Sequence, residues 1–315
     1  MLQPPEVGRL IVPISMKESI KEFIEWRKLK ISRSNGIANE RELLNLCMYL
    51  RNPEVARITF NDIMDYLKGL LEIKELQPNS LLSRTMALRK FFEFTRRREL
   101  TTFDEMLIPV PRQEYTIPRV ADEETYAKLI NAIPGTKHDS RYIRNLAVIT
   151  LLWDSGARNG EICSINISDL NIENKRALIK TEKNRGSRPY REIFWTEETN
   201  KNLINWLKMR EELIKRPHHR ESDALFISIA GHSPGDRLTV SGVCEMLRVY
   251  SNLAGIPLLN AHSMRHHKAH DIANKTGSAI DVMNILGHAS LKSSSRYVEM
   301  RDKALENRAR LVMAT

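Results

Sequence analysis

Three prolines within ten residues, Pro109, Pro111 and Pro118, divide this chain. Proline fixes φ, lacks an amide hydrogen and pushes the preceding residue out of the helical region, so neither a helix nor a central strand runs through such a stretch. Ile108-Pro109-Val110-Pro111 and the extended residues up to Pro118 therefore read as a linker over 108–118, with a folded domain on either side. A length of 315 residues suits two such domains.

The first hundred residues carry helical periodicity throughout. Ser15 and Glu18 have capping-box spacing, and Ile20, Phe23, Ile24 and Leu29 follow at intervals that place them on one helix face. Further helices are expected over 39–50, 60–73 and 80–98, the last starting after Pro78 with Asn79 as its cap. That last helix bears Arg84, Arg89, Lys90, Arg96, Arg97 and Arg98 against one acid, Glu93, a pattern that suits either a DNA-facing surface or a solvated face.

Beyond the linker the pattern changes. Helices are expected over 121–133 and 140–154, the second so apolar in its last two turns (Leu146, Val148, Ile149, Leu151, Leu152, Trp153) that it belongs in a core. Ala177 to Lys183, the turn Asn184-Arg185-Gly186 and Ser187 to Trp195 read as a β-hairpin with Lys183 at its tip. Helices follow over 197–214, 239–253, 264–276, 278–286 and 301–313, with a short strand at Leu225-Phe226-Ile227. The fold class is mainly α, with a small antiparallel sheet in the second domain.

Lys and Arg outnumber Asp and Glu by 49 to 39, a net charge of +10 that favours a polyanionic partner. Residues 1–116 hold 19 basic and 16 acidic side chains and residues 117–315 hold 30 and 23, so the second domain is the more basic. Cys47, Cys163 and Cys244 are scattered and odd in number, which fits neither a disulfide framework nor a cysteine metal site. With no apolar run near membrane-span length and no signal-peptide pattern, the expected setting is the cytoplasm.

The chemistry gathers in the second domain. His262-Ser263-Met264-Arg265, then Leu286-Gly287-His288, then Tyr297 supply a nucleophile, a guanidinium and two imidazoles, and Gly156-Ala157-Arg158-Asn159-Gly160-Glu161 adds a second guanidinium. Those groups can attack and hold a DNA phosphate without a metal. His262, His266 and His270 also lie at i, i+4 and i+8, a spacing that can bind zinc, but no His-Glu-x-x-His pattern or cysteine accompanies them. His266, His267 and His270 are expected to pack beside the catalytic pair or to face DNA.

These motifs resemble, in order and spacing, those of the tyrosine recombinases or phage integrases, and the resemblance covers most of the chain. It implies a helical core-binding domain of the SAM-like type over 10–107, a linker over 108–118, and a catalytic domain over 119–315 ending in an exchange helix at 301–313. It likewise implies that Arg158, Lys183, His262, Arg265, His288 and Tyr297 are the catalytic set. Arg84, Arg89, Lys90, Arg185 and Arg188 are the candidate DNA contacts. Homotetramer assembly on two double-stranded DNA sites, through the C-terminal helix, and association with the nucleoid are implied too. The chain starts directly with the core-binding helices, which looks closer to Xer-like or transposon-borne members than to integrases with an added arm-binding domain.

A phenol of pKa near 10 becomes a nucleophile when a base accepts its proton or cations favour its phenolate. Two planar guanidinium forks neutralise the nonbridging oxygens as phosphorus becomes pentacoordinate, and an ammonium on a mobile hairpin protonates the leaving 5′ oxygen. In this scheme His262 accepts a proton and His288 donates a hydrogen bond to phosphate, two roles that rest on the resemblance. Exchange of one phosphodiester for another needs no ATP, and no cofactor or metal is expected. The alternatives are a type IB topoisomerase-like enzyme that relaxes supercoils with similar residues, and a noncatalytic DNA-binding accessory protein.

Overall fold

A computed structural model describes residues 13–28, 33–74, 78–112, 121–181, 189–231, 233–288, 290–299 and 313. The chain forms two compact units, Met1–Thr116 and Ile117–Thr315.

Unit one is built from α1 (Met16–Lys28), α2 (Arg33–Tyr49), α3 (Phe60–Lys74) and α4 (Pro78–Arg97). The expected capping box closes α1: Glu18 Oε2 accepts from the Ser15 backbone N–H at 3.2 Å, and Ser15 Oγ accepts from the Glu18 N–H at 3.3 Å. Met16, Ile20, Phe23 and Ile24 line the buried face of α1. They meet Leu43 and Leu46 of α2, Ile63 of α3 and the aromatic run Phe91, Phe92 and Phe94 of α4 in one core. Phe23 packs edge-on to Phe91 with centroids 5.6 Å apart, the offset geometry that ring quadrupoles favour. Helix α4 begins at Pro78, so Asn79 lies within its first turn and is not its cap.

Unit two is organised around α6 (Ser140–Ser155), whose Ala147, Val148, Ile149, Leu151 and Leu152 are fully buried. Its start is set by Asp139, whose carboxylate accepts from the N–H groups of Arg141 and Tyr142. Helices α8 (Glu197–Ile214) and α10 (Ala261–Thr276) pack against it. The unit is completed by α5 (Glu123–Asn131), α7 (Asn159–Ser164), α9 (Val240–Leu253), α11 (Ala279–Leu286) and a further helix over 292–299.

The sheet has three antiparallel strands in the order β1 (Leu170–Asn171), β2 (Arg176–Lys180) and β3 (Tyr190–Phe194). Lys180 pairs with Tyr190 and the Thr181 N–H donates to the Pro189 carbonyl at 2.8 Å, while Lys183, Arg185 and Arg188 lie outside the described residues. So do residues 301–312 of the expected C-terminal helix.

Four details correct the sequence reading. Residues 225–227 form no strand of the sheet; an isolated bridge joins Asn166 to Ala224 just before them and another joins Ile227 to Arg237. Side chains take the carbonyls that a ladder would use: Trp206 Nε1 donates to the Leu225 carbonyl and Arg210 Nε to that of Ala224, each at 2.8 Å. Helix α7 and strand β1 stand where no element is expected. Helix α10 begins at Ala261 rather than 264, because Asn260 caps it by accepting from the Ser263 N–H at 2.9 Å. That earlier start places His262, Arg265, His266 and His270 on one helix.

Candidate active site

Arg265 is fixed first. It is 4% exposed, and its Nη1 donates to the Gly156 carbonyl at 2.8 Å while Nη2 donates to the Leu286 carbonyl at 2.6 Å. Both carbonyls belong to the C-terminal ends of helices, α6 and α11, where the negative end of the helix dipole favours a cation. The guanidinium is thus held flat between two helix ends, with one N–H of each terminal nitrogen engaged among five donors in all.

Two glycines make this possible. Gly156 and Gly287 end α6 and α11 in the left-handed region, at φ 58° and 67°. A Cβ on Gly156 would stand 2.8 Å from Leu286 Cδ2, and one on Gly287 would stand 2.5 Å from Arg191 Cδ.

Arg158 caps the start of α7 and aims its Nη1 at Glu161 Oε1, 2.8 Å away. Glu161 is fully buried and also accepts from the Arg158 backbone N–H at 2.9 Å and from Arg191 Nη2 at 2.8 Å. Burial works to raise the Glu161 carboxyl, but Arg191, the Arg158 N–H and the Arg158 guanidinium overcome it and hold the acid below its usual range. Arg191 in turn reaches from β3 to the Ile285 carbonyl at 2.7 Å. Neither Glu161 nor Arg191 was assigned a role in the expected set.

Three guanidinium groups, Arg158, Arg191 and Arg265, therefore share one carboxylate, and the excess of positive charge is felt. Burial first, then the neighbouring Arg158, pushes Arg265 down to about 9. Burial first, then Arg265 and Arg158, pushes His288 down to about 3. A site that penalises its own cations is stabilised by an incoming anion.

His288 follows Gly287, and its Nδ1 lies 2.7 Å from the hydroxyl of the buried Ser294. A neutral ring that accepts from Ser294 at Nδ1 carries its proton on Nε2, where it can donate to a ligand.

Tyr297 is 3% exposed and packs with Ala269, Ile272, Ala273, Val282 and Leu286. Its ring stacks with that of His288 at 6.3 Å and meets His270 edge-on at 5.0 Å. Its hydroxyl lies 2.5 Å from Nδ1 of His266 and accepts from Arg296 Nη2 at 3.0 Å. His262 is exposed on the first turn of α10, with its ring 4.4 Å from that of His266. His267 faces elsewhere, stacked on Trp153 at 4.2 Å with Nδ1 2.8 Å from the Ala121 carbonyl.

The structure thus gathers Arg158, Arg265, His288 and Tyr297, together with His262 at the rim, while Lys183 lies outside the described residues. In unit one, Arg84 donates to the buried Glu42 at 2.8 Å, and Arg89 Nε donates to the Ile108 carbonyl at 2.8 Å. Both guanidinium groups are bound within their own unit, and Lys90 is exposed. The His262, His266, His270 stripe was the sequence signal for His266. Ser294 and Arg296 carried none beyond their closeness to Tyr297.

Residues 119–304 match the phage integrase family. Over 96% of this chain and 94% of its own length, the tyrosine recombinase XerC of Corynebacterium glutamicum is 24% identical. The tyrosine recombinase XerD of Oceanobacillus iheyensis is 25% identical over 93% of this chain and 97% of its own. Among solved structures, the XerH site-specific recombinase bound to palindromic difH substrate in a post-cleavage complex superposes with a TM-score of 0.68 at 19% identity. It covers 98% of this chain and 99% of its own.

Proposed function

This chain belongs to the phage integrase family, the tyrosine recombinases, and on that premise we propose that Tyr297 cleaves DNA at specific sites through a covalent 3′-phosphotyrosine. The observation that carries this reading is the convergence on α10 and its neighbours of a buried phenol, a helix-end guanidinium and a neutral imidazole around unbalanced positive charge.

In the proposed reaction Arg158 and Arg265 take the nonbridging oxygens of the scissile phosphate, whose charge offsets the burial and the Arg158 repulsion that depress Arg265. His288 donates from Nε2 to the same phosphate, with Ser294 fixing its tautomer. Tyr297 attacks phosphorus, the 5′ oxygen departs and Lys183 protonates it. Attack by a 5′ hydroxyl of another strand reverses the step and completes strand exchange, with phosphodiester energy conserved throughout.

The helical unit of residues 10–107 would add phosphate contacts from its basic residues, Lys90 among them, which makes affinity salt-dependent. Four protomers would pair two sites, linked through residues 301–313, and such a DNA-bound role would place the protein on the nucleoid. Among the described residues no helix is long and apolar enough to cross a membrane.

The test begins with a duplex selected from a randomised library by binding to the Tyr297→Phe chain. A nicked suicide version is then incubated with wild-type protein and run on a denaturing gel. A covalent adduct with wild type and none with Tyr297→Phe is the expected result. No wild-type adduct, or an adduct that persists in Tyr297→Phe, sinks the mechanism. Joining of two such sites, rather than a change of linking number on any plasmid, separates a recombinase from a topoisomerase.

A further inference from the structure

We propose that His266, rather than His262, is the base that receives the proton of Tyr297. The inference rests on the reading above, in which Tyr297 attacks phosphorus. Its ground is the hydrogen-bond arrangement at the phenol oxygen. Arg296 Nη2 donates to that oxygen at 3.0 Å, so the hydroxyl's own proton is free to point elsewhere, and Nδ1 of His266 lies 2.5 Å away. With Nδ1 accepting and the ring proton on Nε2, the tautomer that the proposal requires, this imidazole is a neutral base in contact with the reacting group.

Placement on α10 reinforces the assignment. His266 follows Arg265, whose guanidinium is held between two helix ends, so the base and the phosphate clamp share one rigid turn. His266 is 3% exposed, which keeps water from competing for Nδ1, whereas His262, one turn earlier, is exposed.

The groups facing His266 explain how its basicity depends on DNA. They are His262, Arg265 and His270 on α10, and Arg296 and Tyr297 on the helix over 292–299. Burial first, then His262, Arg296, His270 and Arg265, holds the ring near 4, so in the absence of DNA it is a weak base. A phosphodiester seated on Arg265 and Arg158 brings negative charge into this cluster and raises the basicity of His266. The nucleophile is then activated when its substrate is in place.

Each bond is accounted for. The bond from Tyr297 Oη to phosphorus forms, the bond from phosphorus to O5′ breaks, and the hydroxyl proton passes to His266 Nδ1. O5′ takes a proton from the leaving-group acid assigned above to Lys183. In rejoining, His266 returns its proton to Tyr297 Oη.

The experiment uses full-length protein in single-turnover adduct formation on the selected nicked duplex between pH 6 and 9. In His266→Asn the amide oxygen takes the place of Nδ1, accepts the hydroxyl hydrogen bond and cannot keep the proton. Gel shift on the uncleaved duplex shows that the variant is folded, and His266→Gln replaces it where it is not. Cleavage by the variant is expected to fall roughly 100-fold or more at pH 7, the scale of general-base catalysis. It should recover with rising pH about tenfold per unit, as hydroxide takes the proton that His266 no longer receives. Imidazole in solution should restore part of the activity of His266→Ala.

A variant that cleaves within about threefold of wild type overturns the inference. So does one that is slow at every pH with the wild-type profile and no response of His266→Ala to imidazole, which is the pattern of a positional role. Absence of an adduct with wild type would instead mark the failure of the underlying cleavage reading.

Discussion

Arg191 of β3 and Glu161 of α7 form a buried ion pair, Nη2 to Oε2 2.8 Å, with side chains 7% and 0% exposed. The same carboxylate anchors Arg158 through Oε1, and the same guanidinium reaches the Ile285 carbonyl of α11. One pair thus connects the sheet, the start of α7 that carries Arg158, and the helix that leads to His288. Its geometry explains why Arg158, with 24% side-chain exposure, keeps a defined direction.

Removing one partner of such a pair strands the other charge in the interior, at a cost of about 3–5 kcal/mol. Arg191→Leu is therefore expected to lower stability by that amount in urea denaturation, and to slow cleavage more than it weakens DNA binding, because Arg158 loses the fixed position of its anchor. A denaturation midpoint equal to wild type would remove Arg191 from this role.

Arg265→Lys keeps the charge but loses the planar fork that bonds the Gly156 and Leu286 carbonyls together. Loss of one transition-state donor set of this kind costs about 100- to 1,000-fold in rate. Adduct formation should fall by that range with DNA affinity within about threefold of wild type. A loss confined to affinity would mean that Arg265 serves binding alone.

The legible and illegible parts of this molecule differ for physical reasons. Ser15 with Glu18, and the apolar run from Leu146 to Trp153, are local patterns, and the helices they announce stand where expected. Helix α7 has only six residues, too few for periodicity, and is set by Glu161 accepting from the Arg158 N–H. Residues 224–227 have the composition of a strand, yet Trp206 and Arg210 claim the Leu225 and Ala224 carbonyls from a distant helix. In the site, residue type and order pointed to Arg158, Arg265, His288 and Tyr297 as candidates, and the structure brings these four together. The Arg191 contact to Glu161 spans 30 positions and leaves no local mark. Contacts of Arg84 with Glu42 and of Arg89 with the Ile108 carbonyl are hidden in the same way, and these turn basic residues on a helix into internal ties.

Gly287 tests the packing around that tie. Its φ of 67° costs an L residue about 1–2 kcal/mol, and an added Cβ would meet Arg191 Cδ at 2.5 Å. Gly287→Ala should therefore cost more than the backbone penalty alone, about 2 kcal/mol or more, and displace His288 enough to slow cleavage. An alanine variant as stable as wild type would show that Arg191 moves aside freely.

Residues 301–315 supply Ala304, Leu305, Ala309, Leu311, Val312 and Met313, apolar side chains that suit burial on a neighbouring protomer. Deletion of 301–315 is expected to leave binding to a single DNA site intact while impairing recombination between two sites. Gel shift on one site and product formation from two separate the effects, and unchanged strand exchange by the truncated chain counts against a linking role.

Three imidazoles shape the acid response of the fold, and His270 is lowered by burial first, like His266 and His288. His266 is held near 4 and His288 near 3, in each case by burial first and then by neighbouring cations, against about 6.5 for the unfolded chain. Below pH 6.5 the unfolded chain binds protons that the folded one refuses, so unfolding is favoured by acid. The stability tied to neutral rings is full above pH 6.5 and is lost as pH falls toward 4 for His266 and 3 for His288. Glu161, held below the usual carboxylate range, adds a loss of the same sign that sets in as pH falls through that range. For the buried His266 the full difference corresponds to about 3 kcal/mol. Urea midpoints should therefore fall steadily from pH 6.5 to 4.5, and His266→Asn should show a shallower fall because one of the three refusing groups, His266, His270 and His288, is gone. A wild-type midpoint that stays level across that window would mean that these rings accept protons in the folded protein, and with them the charge that burial and the neighbouring cations oppose.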